Sequence, residues 1–251
     1  MIDVLYDHMG IPDTCHLGKR VYKKLFHENA QLGVTDKRAF RDDIDVITWV
    51  YTLKPNTIAI QAYEDDEREY HEVAVLQIDA KTQLRTNRIA QIIHRAIPYP
   101  IVAVFAYRTA CALSLAHKRF SQAEKGAIVA DDFCTTDWFD LSTPSEIHRA
   151  FLSSLSVADL PHTHFLAFYS GLFDRLIALD CARLTGRYRI EAAAERRETR
   201  QQCLAQCRDL ESRIAEVRAA AKREKQISRL TELNVEIRRL QGQLAKLTTN
   251  L

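Results

Sequence analysis

Acidic and basic side chains stand close together around residue 79, at a spacing that some nucleases use. Asp79, Ala80 and Lys81 follow the β-branched run EVAVLQI, which predicts a strand over residues 72–78. Side chains two apart lie on the same face of a strand, so Asp79 and Lys81 would share one side of its end. Nucleases of the restriction type use such a pair around a metal-bound water. Asp65 and Asp66 are upstream carboxylates that could complete a Mg²⁺ site.

The same residues also have an ordinary explanation, because a carboxylate and a lysine two apart are common at strand ends. Other metal-capable groups are sparse. His162 and His164 beside Asp159, and Cys15 with His16, each lack the second cluster that a tetrahedral site requires. We therefore predict no resident metal or other cofactor, and Mg²⁺ enters only with the nuclease hypothesis. The sequence also has no Gly-rich phosphate loop, which excludes P-loop nucleotide hydrolysis.

The C-terminal quarter is a second candidate site, because its Lys and Arg side chains could contact phosphate. Residues 187–251 hold 15 Lys+Arg and 9 Asp+Glu, whereas residues 1–186 hold 20 and 24. Contacts with nucleic-acid phosphate release counterions, so such binding would be sensitive to salt. The alternative is a solvated helical face on which acidic and basic residues alternate. The predicted nucleic-acid-binding residues are Arg196, Arg197, Arg200, Lys222, Arg223, Lys225 and Arg229.

Hydrophobic periodicity predicts the elements that must position these groups. Helical spacing of apolar residues predicts helices over residues 37–53, 86–96, 144–155 and 164–185. β-branched runs predict strands over residues 56–61, 72–78, 100–107, 111–117 and 127–133, with a solvated acidic loop at 63–70 and a polar turn at 121–126. Residues 1–186 should therefore form an α+β domain, with a mixed sheet of about five strands and flanking helices.

The last 65 residues have the composition of long helices. Between Glu191 and Gln241 there is neither Gly nor Pro, and good helix formers dominate. Apolar residues over 203–221 and over 230–247 each follow a 3.5-residue spacing, which is typical of coiled coils. The two runs are out of phase across residues 222–229, which predicts either a bent rod or a helical hairpin. We expect residues 187–251 to form a coiled-coil or hairpin extension through which the chain self-associates.

Composition excludes several classes of protein. The longest apolar run, residues 97–107, is too short to span a membrane and contains two prolines. Asp3 and Asp7 stand where a secretory signal carries Lys or Arg. The six cysteines form no C-x-x-C pair, so neither a disulfide framework nor a zinc knuckle is indicated. A cytoplasmic protein without membrane contact is expected.

Three sequence blocks carry a resemblance to a known family. They are RAFRDDIDVITWVYTLKPNTIAI (38–60), IIHRAIPYPIVAVF (92–105) and KREKQISRLTELNVEIRRLQ (222–241). In this order they resemble the bacterial and archaeal family of domain of unknown function 4391, over nearly the whole chain. The resemblance implies genes beside DNA methyltransferases and superfamily 2 helicases in restriction-like or phage-defence islands.

The expected function follows from this resemblance. It is a non-catalytic accessory or assembly subunit of a DNA-acting defence system, with a helicase or methyltransferase subunit as partner and DNA as a further one. The alternative is a metal-dependent nuclease centred on Asp79 and Lys81, with Asp65 or Asp66.

Overall fold

The chain divides into two compact units. The computed structural model describes residues 1–29, 32–123 and 126–251. The first unit is Met1–Leu176 and the second is Ile177–Leu251. One long helix, Phe165–Thr185, runs through the boundary between them. The domain division at residue 186 that the sequence suggested stays a prediction. No helix among the described residues is both long enough and apolar enough to cross a membrane.

A seven-stranded mixed sheet forms the centre of the first unit. Its strands are β1 (His16–Val21), β2 (Ile44–Leu53), β5 (Val73–Ala80), β6 (Ile101–Tyr107), β7 (Ala110–Phe120), β8 (Ile128–Thr135) and β9 (Phe139–Asp140), and a separate hairpin is made of β3 (Tyr63–Glu64) and β4 (Glu69–Tyr70). The strand order is β1-β2-β5-β6-β7-β8, and β9 pairs with β7. Among the strands that the structure describes, only β5 and β6 run parallel, and a parallel pair requires a crossover connection.

Helices cover the sheet and complete the chain. They are α1 (Asp3–Met9), α2 (Lys23–Asn29), α3 (Val34–Asp43), α4 (Pro55–Ile58), α5 (Thr86–Ala96), α6 (Glu146–Ser154), α7 (Phe165–Thr185), α8 (Ala194–Arg223) and α9 (Ile227–Thr248). The crossover between β5 and β6 is α5. One face of the sheet buries Leu76 and Ile78 against Phe40 of α3 and Ile93 of α5. The predicted fold class, an α+β protein with a mixed sheet, flanking helices and long C-terminal helices, is confirmed.

Two charged pairs join α3 to the start of α5. Asp43, which is 2% exposed, accepts hydrogen bonds from Arg85 Nε at 2.6 Å and Arg85 Nη2 at 2.7 Å. Asp36 accepts from Arg88 Nε at 2.8 Å and Arg88 Nη2 at 2.6 Å. Such two-pronged arginine–carboxylate contacts fix orientation as well as distance. They hold the end of β5 against the start of β2, where Lys81 N also donates to Asp43 O at 2.7 Å.

The predicted helix over residues 37–53 is wrong in its second half. The helix α3 ends at Asp43, and residues 44–53 form β2, which pairs with β5 along its length and with β1. The apolar residues of IDVITWVYTL fit both periods, but their types are β-branched and aromatic. These side chains fit a pleated surface better than a helix, and the long pairing with β5 adds to that preference.

Several other elements agree with the prediction, and two do not. The helix at 86–96 is α5, and the strands predicted at 72–78, 100–107, 111–117 and 127–133 are β5 to β8. Residues 55–58 form the short helix α4 instead of a strand, because Pro55 suits a first helical position. The acidic stretch 63–70 forms the β3–β4 hairpin rather than an open loop. In the polar turn predicted at 121–126, residues 124 and 125 lie outside the described residues.

The second unit contains a helical hairpin after the end of α7. Residues 224–226 connect α8 to α9. Leu210 and Ile214 of α8 are buried with Leu240 of α9. Cys203 Sγ near the start of α8 approaches Leu247 O near the end of α9 at 3.3 Å, so the two helices run antiparallel. Of the two arrangements that the sequence left open, the structure contains the hairpin.

Candidate functional site

The Asp79 and Lys81 pair lies where β5 leaves the sheet between β2 and β6. Asp79 is partly buried, and its Oδ1 accepts a hydrogen bond from Gln77 Nε2 at 2.7 Å. Gln77 Oε1 in turn accepts from the Tyr6 hydroxyl at 3.0 Å. Asp79 therefore belongs to a row of polar groups along the face of β5 that meets α1. The side chain of Lys81 is exposed beyond the strand end.

Asp65 and Asp66 lie at the opposite end of the sheet from Asp79. They belong to the β3–β4 turn, which joins the sheet where Phe120 N donates to Glu67 O at 2.8 Å. Asp79 instead stands opposite Ala106, which pairs with the first residues of β7. The length of β7 separates these two ends, roughly 30 Å at the usual rise per residue. The structure thus brings Asp79 and Lys81 together and leaves Asp65 and Asp66 apart from them.

Asp65 has a local structural role within its turn. Its Oδ1 accepts from Glu67 N at 2.8 Å and from Arg68 N at 2.7 Å, and its Oδ2 accepts from the Tyr63 hydroxyl at 2.6 Å. These hydrogen bonds favour the carboxylate and lower the pKa of Asp65. The turn is therefore stabilised by the aspartate that the sequence suggested as a metal ligand.

Lys23 and Asp45 are two charged residues beside this strand end that no sequence motif indicated. Lys23 Nζ donates to Ile44 O at 2.6 Å at the start of β2. Burial and the positive charge of Lys81 lower the pKa of Lys23, whereas the charge of Asp45 raises it. These residues are far apart in sequence, and Asp45 lies at an irregularity in the β2–β5 pairing. Only the strand order and this bulge bring them near Lys81.

A basic cleft lies beside this strand end, and Lys23 belongs to its lining. It has a volume of about 490 Å³ and is lined by Lys23, Val34, Lys37, Arg38 and Arg41. Arg41 contacts the neighbouring Asp42 with its Nε 2.8 Å from Oδ1. Lys37 and Arg38 are exposed. The positive charge of this cleft suits an anion, and phosphate and carboxylate are the anions whose geometry the arginine guanidinium matches.

The basic residues predicted on α8 fall into different environments. Arg196 is exposed and Arg197 is partly buried. Arg200 is only 6% exposed, and its Nη1 donates to Arg189 O at 2.6 Å. The guanidinium of Arg200 is therefore used inside the second unit, where it fixes the chain that leads into α8. An exposed phosphate-binding face cannot include it in this conformation.

The remaining basic residues meet at the turn of the hairpin. We call the exposed residues Lys222, Arg223, Lys225, Ile227 and Arg229 the hairpin tip. Ile227 is 81% exposed, which is unusual for a large apolar side chain. Glu224 shapes the turn, because its Oε1 accepts from Lys225 N at 2.8 Å and from Gln226 N at 2.9 Å. Its Oε2 lies 3.7 Å from Arg229 Nε. The tip thus combines one apolar side chain with four cations.

Metal ligands do not assemble in the part of the chain that the structure describes. No group of three His, Cys, Asp or Glu side chains there could hold an ion. His162 and His164 have local partners. His162 Nε2 lies 2.8 Å from Val157 O, and His164 Nδ1 accepts from Ala167 N at 3.1 Å in the first turn of α7. The second histidine is therefore a helix cap.

Comparison with known proteins gives one family. No curated protein and no solved structure matches the chain. The model of a domain of unknown function, DUF4391, matches residues 9–244, which cover most of each unit. The family resemblance of the three sequence blocks is thereby confirmed, and the chain belongs to the DUF4391 family.

Proposed function

We propose that this protein is a non-catalytic assembly subunit of a prokaryotic DNA-acting defence system, and that its second unit contacts a helicase or methyltransferase subunit and DNA. The observation that supports this most is the surface of the hairpin. Its apolar seam is closed within one chain, and its outer surface carries a basic tip and exposed apolar residues of α9.

The outer surface of α9 is open to partners. Leu240 is fully buried against Leu210 and Ile214, and Leu244 and Leu247 are partly buried against them. These residues belong to the set whose spacing suggests a coiled coil. Because one chain buries Leu210, Ile214 and Leu240, self-association is not needed to shield these three residues. A partner, or a second copy of the chain, would contact the outer surface, where Val235 is 60% exposed.

The hairpin tip is the DNA-contacting part of the proposal. Four cations on one turn can neutralise several phosphates, and such contacts are independent of base sequence. A contact of this kind would place the subunit on DNA without choosing the target. Choice of the target would belong to the methyltransferase or helicase partner.

Salt-dependent DNA binding by the full chain tests the tip. We expect labelled duplex DNA to bind with an affinity that falls steeply with salt, measured by fluorescence anisotropy. Lys222→Glu with Lys225→Glu should reduce the slope of log affinity against log salt by about 2, the loss of two phosphate contacts. The matched control is Arg238→Glu with Arg239→Glu, which makes the same charge change on the shaft of α9. Equal reductions of this slope in both variants would indicate general electrostatic attraction. They would reject the hairpin tip as the contact with DNA.

Co-purification tests the partner. The full chain, tagged and expressed with the products of its neighbouring genes, should retain a helicase or methyltransferase. Val235→Glu places a charge on the outer surface of α9 and should release that protein, whereas it should leave the helical circular dichroism unchanged. Retention of no such protein by the wild-type chain would contradict the assembly role, whatever the DNA result.

The metal-dependent nuclease is the second candidate function, and one observation favours it. A strand ending in Asp79-Ala80-Lys81 is followed by a helix and then by a parallel neighbouring strand, with the basic cleft beside it. DNA cleavage with Mg²⁺ or Mn²⁺ that is abolished by Asp79→Asn and by Lys81→Met would establish this activity. Asp66→Asn is the matched control, because Asp66 lies at the other end of the sheet. Absence of cleavage by the wild-type chain would reject the nuclease.

A further inference from the structure

An aromatic pocket lies on one face of the sheet beside β1, and neither candidate function uses it. Its volume is about 480 Å³, within the range of small-molecule sites. Trp49 of β2 and Tyr99, just before β6, form its aromatic walls, and their ring centroids are 5.6 Å apart. Leu76 and Ile97 add apolar lining. We call the cavity lined by these residues the aromatic pocket.

One cation faces the same pocket. Lys19 stands directly opposite Trp49 in the antiparallel β1–β2 pairing, so both side chains lie on one face of the sheet. Lys19 is exposed and forms no ion pair with any residue that the structure describes. It is therefore available to an anionic group at the rim of the aromatic walls. Arg20, the next residue, pairs with Thr48 and alternates to the other face, where its guanidinium lies 5.8 Å from the centroid of the Tyr22 ring.

Glu72, the carboxylate that acts on Tyr99 in this pocket, already forms an ion pair. Burial and the charge of Glu72 raise the pKa of Tyr99 to about 12, so its hydroxyl stays protonated at neutral pH. Glu72 itself lies 3.2 Å from Lys54 Nζ. That ion pair reduces the repulsion that Glu72 would exert on a bound anion, and the Tyr99 hydroxyl remains a hydrogen-bond donor.

The aromatic walls are held in place before any ligand binds. Trp49 Nε1 donates to Tyr51 O at 2.9 Å, which satisfies the polar atom of the indole and holds the ring in the pocket wall. Lys118 Nζ is almost fully buried and donates to His94 O and, at 2.7 Å, to Ile97 O. This lysine fixes the end of α5 immediately before Tyr99. A rigid site loses less entropy when a ligand binds.

We propose that the aromatic pocket binds a nucleotide, with the base against Trp49 and Tyr99 and the phosphate at Lys19. Every base has a face that can stack on an aromatic side chain, so such a site tolerates any base. Charge-assisted hydrogen bonds from the Lys19 ammonium group orient the phosphate. A free mononucleotide and the terminal nucleotide of a strand offer the same chemistry, so both are sources to test. This ligand goes beyond the assembly function and does not depend on it.

The fluorescence of Trp49 gives a direct measurement. The chain has two tryptophans, so Trp138→Phe leaves Trp49 as the single reporter. We expect saturable quenching by nucleoside 5′-monophosphates, binding about tenfold weaker for adenosine, and no quenching by inorganic phosphate alone. A trinucleotide with a 5′-phosphate identifies the second source. Tighter binding of the trinucleotide than of the monophosphate assigns the site to a strand end, and the reverse assigns it to the free nucleotide.

Substitutions at the rim and in the wall test where the ligand binds. Lys19→Glu should weaken adenosine 5′-monophosphate binding at least about tenfold, since the charge-assisted hydrogen bonds to the phosphate are lost and a negative charge takes their place. Ala96→Leu should fill the cavity and abolish binding by every ligand. Near-ultraviolet circular dichroism establishes that the variants are folded.

The matched control reverses one charge in the neighbouring basic cleft, as Lys37→Glu, and should leave the affinity nearly unchanged. An equal loss in the rim variant and in this control would mean general electrostatic attraction and would overturn the proposal. Absence of saturable quenching by any monophosphate or by the trinucleotide would overturn it as well.

Discussion

Lys118 shows how one buried side chain can organise a larger region. It is 1% exposed, yet its ammonium group donates to two carbonyls at the end of α5. Burial lowers the pKa of Lys118 from 10.5 to about 7. A positive group near the last carbonyls of a helix is also favoured by the helix dipole. This residue therefore links the stability of the first unit to the shape of the aromatic pocket.

We expect this lysine to make stability rise with pH just above neutrality. Between its folded pKa and its ordinary value, the unfolded chain binds a proton that the folded chain does not. The free energy of unfolding should then increase by about 1 kcal/mol per pH unit between roughly pH 7 and 8. Urea denaturation across this range should show the increase in the wild type. Lys118→Met should lack it, and should also lose about 1–3 kcal/mol because two carbonyls lose their donor. Equal pH slopes in both proteins would contradict this account.

Two buried histidines, His94 and His117, should make the protein less stable at acidic pH. Burial lowers the pKa of His94 to about 3 and that of His117 to about 4, from 6.5. Between about pH 4 and 6.5 the unfolded chain binds two more protons, so stability falls as the pH falls. Near pH 5.5 we expect a slope of about 2 kcal/mol per pH unit. His117→Gln, which keeps a polar partner for the Tyr70 hydroxyl, should roughly halve this slope in acid titrations of unfolding.

At the residue level, sequence reasoning found Asp79 and Lys81 but not their surroundings. The two-residue period of a strand is local, so the pair was predictable. Which strands are neighbours determines how close Lys23 and Asp45 come to Lys81. It also determines how far Asp65 lies from Asp79. That order is set by packing across the whole sheet, which no local spacing encodes.

At the level of elements, the hairpin should be stabilised mainly by its seam. Leu240 has no exposed surface, and Leu240→Ala should destabilise the α8–α9 pair by about 2–5 kcal/mol, the usual range for a buried leucine. Val235→Ala on the outer surface of the same helix should change stability by less than about 0.5 kcal/mol. Hydrogen exchange of the α8 and α9 amides would measure both. Similar losses of protection in the two variants would mean that the outer surface is also packed.

The elements also show what periodicity can and cannot decide. Residues 86–96 have one apolar stripe and helix-favouring neighbours, and α5 begins and ends at those positions. Residues 44–53 fit two periods at once, and only the pairing of β2 with β5 selects the strand. For residues 187–251, the change of phase at residues 222–229 predicted where the turn lies. It did not predict the handedness of the turn or the direction in which the chain continues. Contacts far apart in sequence, such as Leu210 with Leu240, made that choice.

At the scale of the whole molecule, the position of α7 determines where the chain can be truncated without exposing buried residues. Its second half, from Ile177, belongs to the second unit, where Arg183 pairs with Glu211 at 2.6 Å and Asp180 pairs with Arg208. A chain ending at Gly186 should therefore expose fully buried residues such as Cys181 and Ala182. We expect it to aggregate in light scattering at concentrations where the full chain does not. A soluble monomer with unchanged stability would show that this part of α7 does not need the hairpin.

The edge strand β1 has a consequence for the behaviour of this protein in a crowded cell. An uncovered strand offers free amide and carbonyl groups to any other extended chain. Here the pairing with β2 is interrupted between His16 and Lys19, and Gly18 adopts a positive φ of 62°. A substituted Cβ at Gly18 would lie 2.9 Å from the His16 ring. The kink and the two charges that follow it make this border a poor template for strand addition. Lys19, which is proposed to attract an anion to the aromatic pocket, thereby also helps to protect the sheet from fibre-like association.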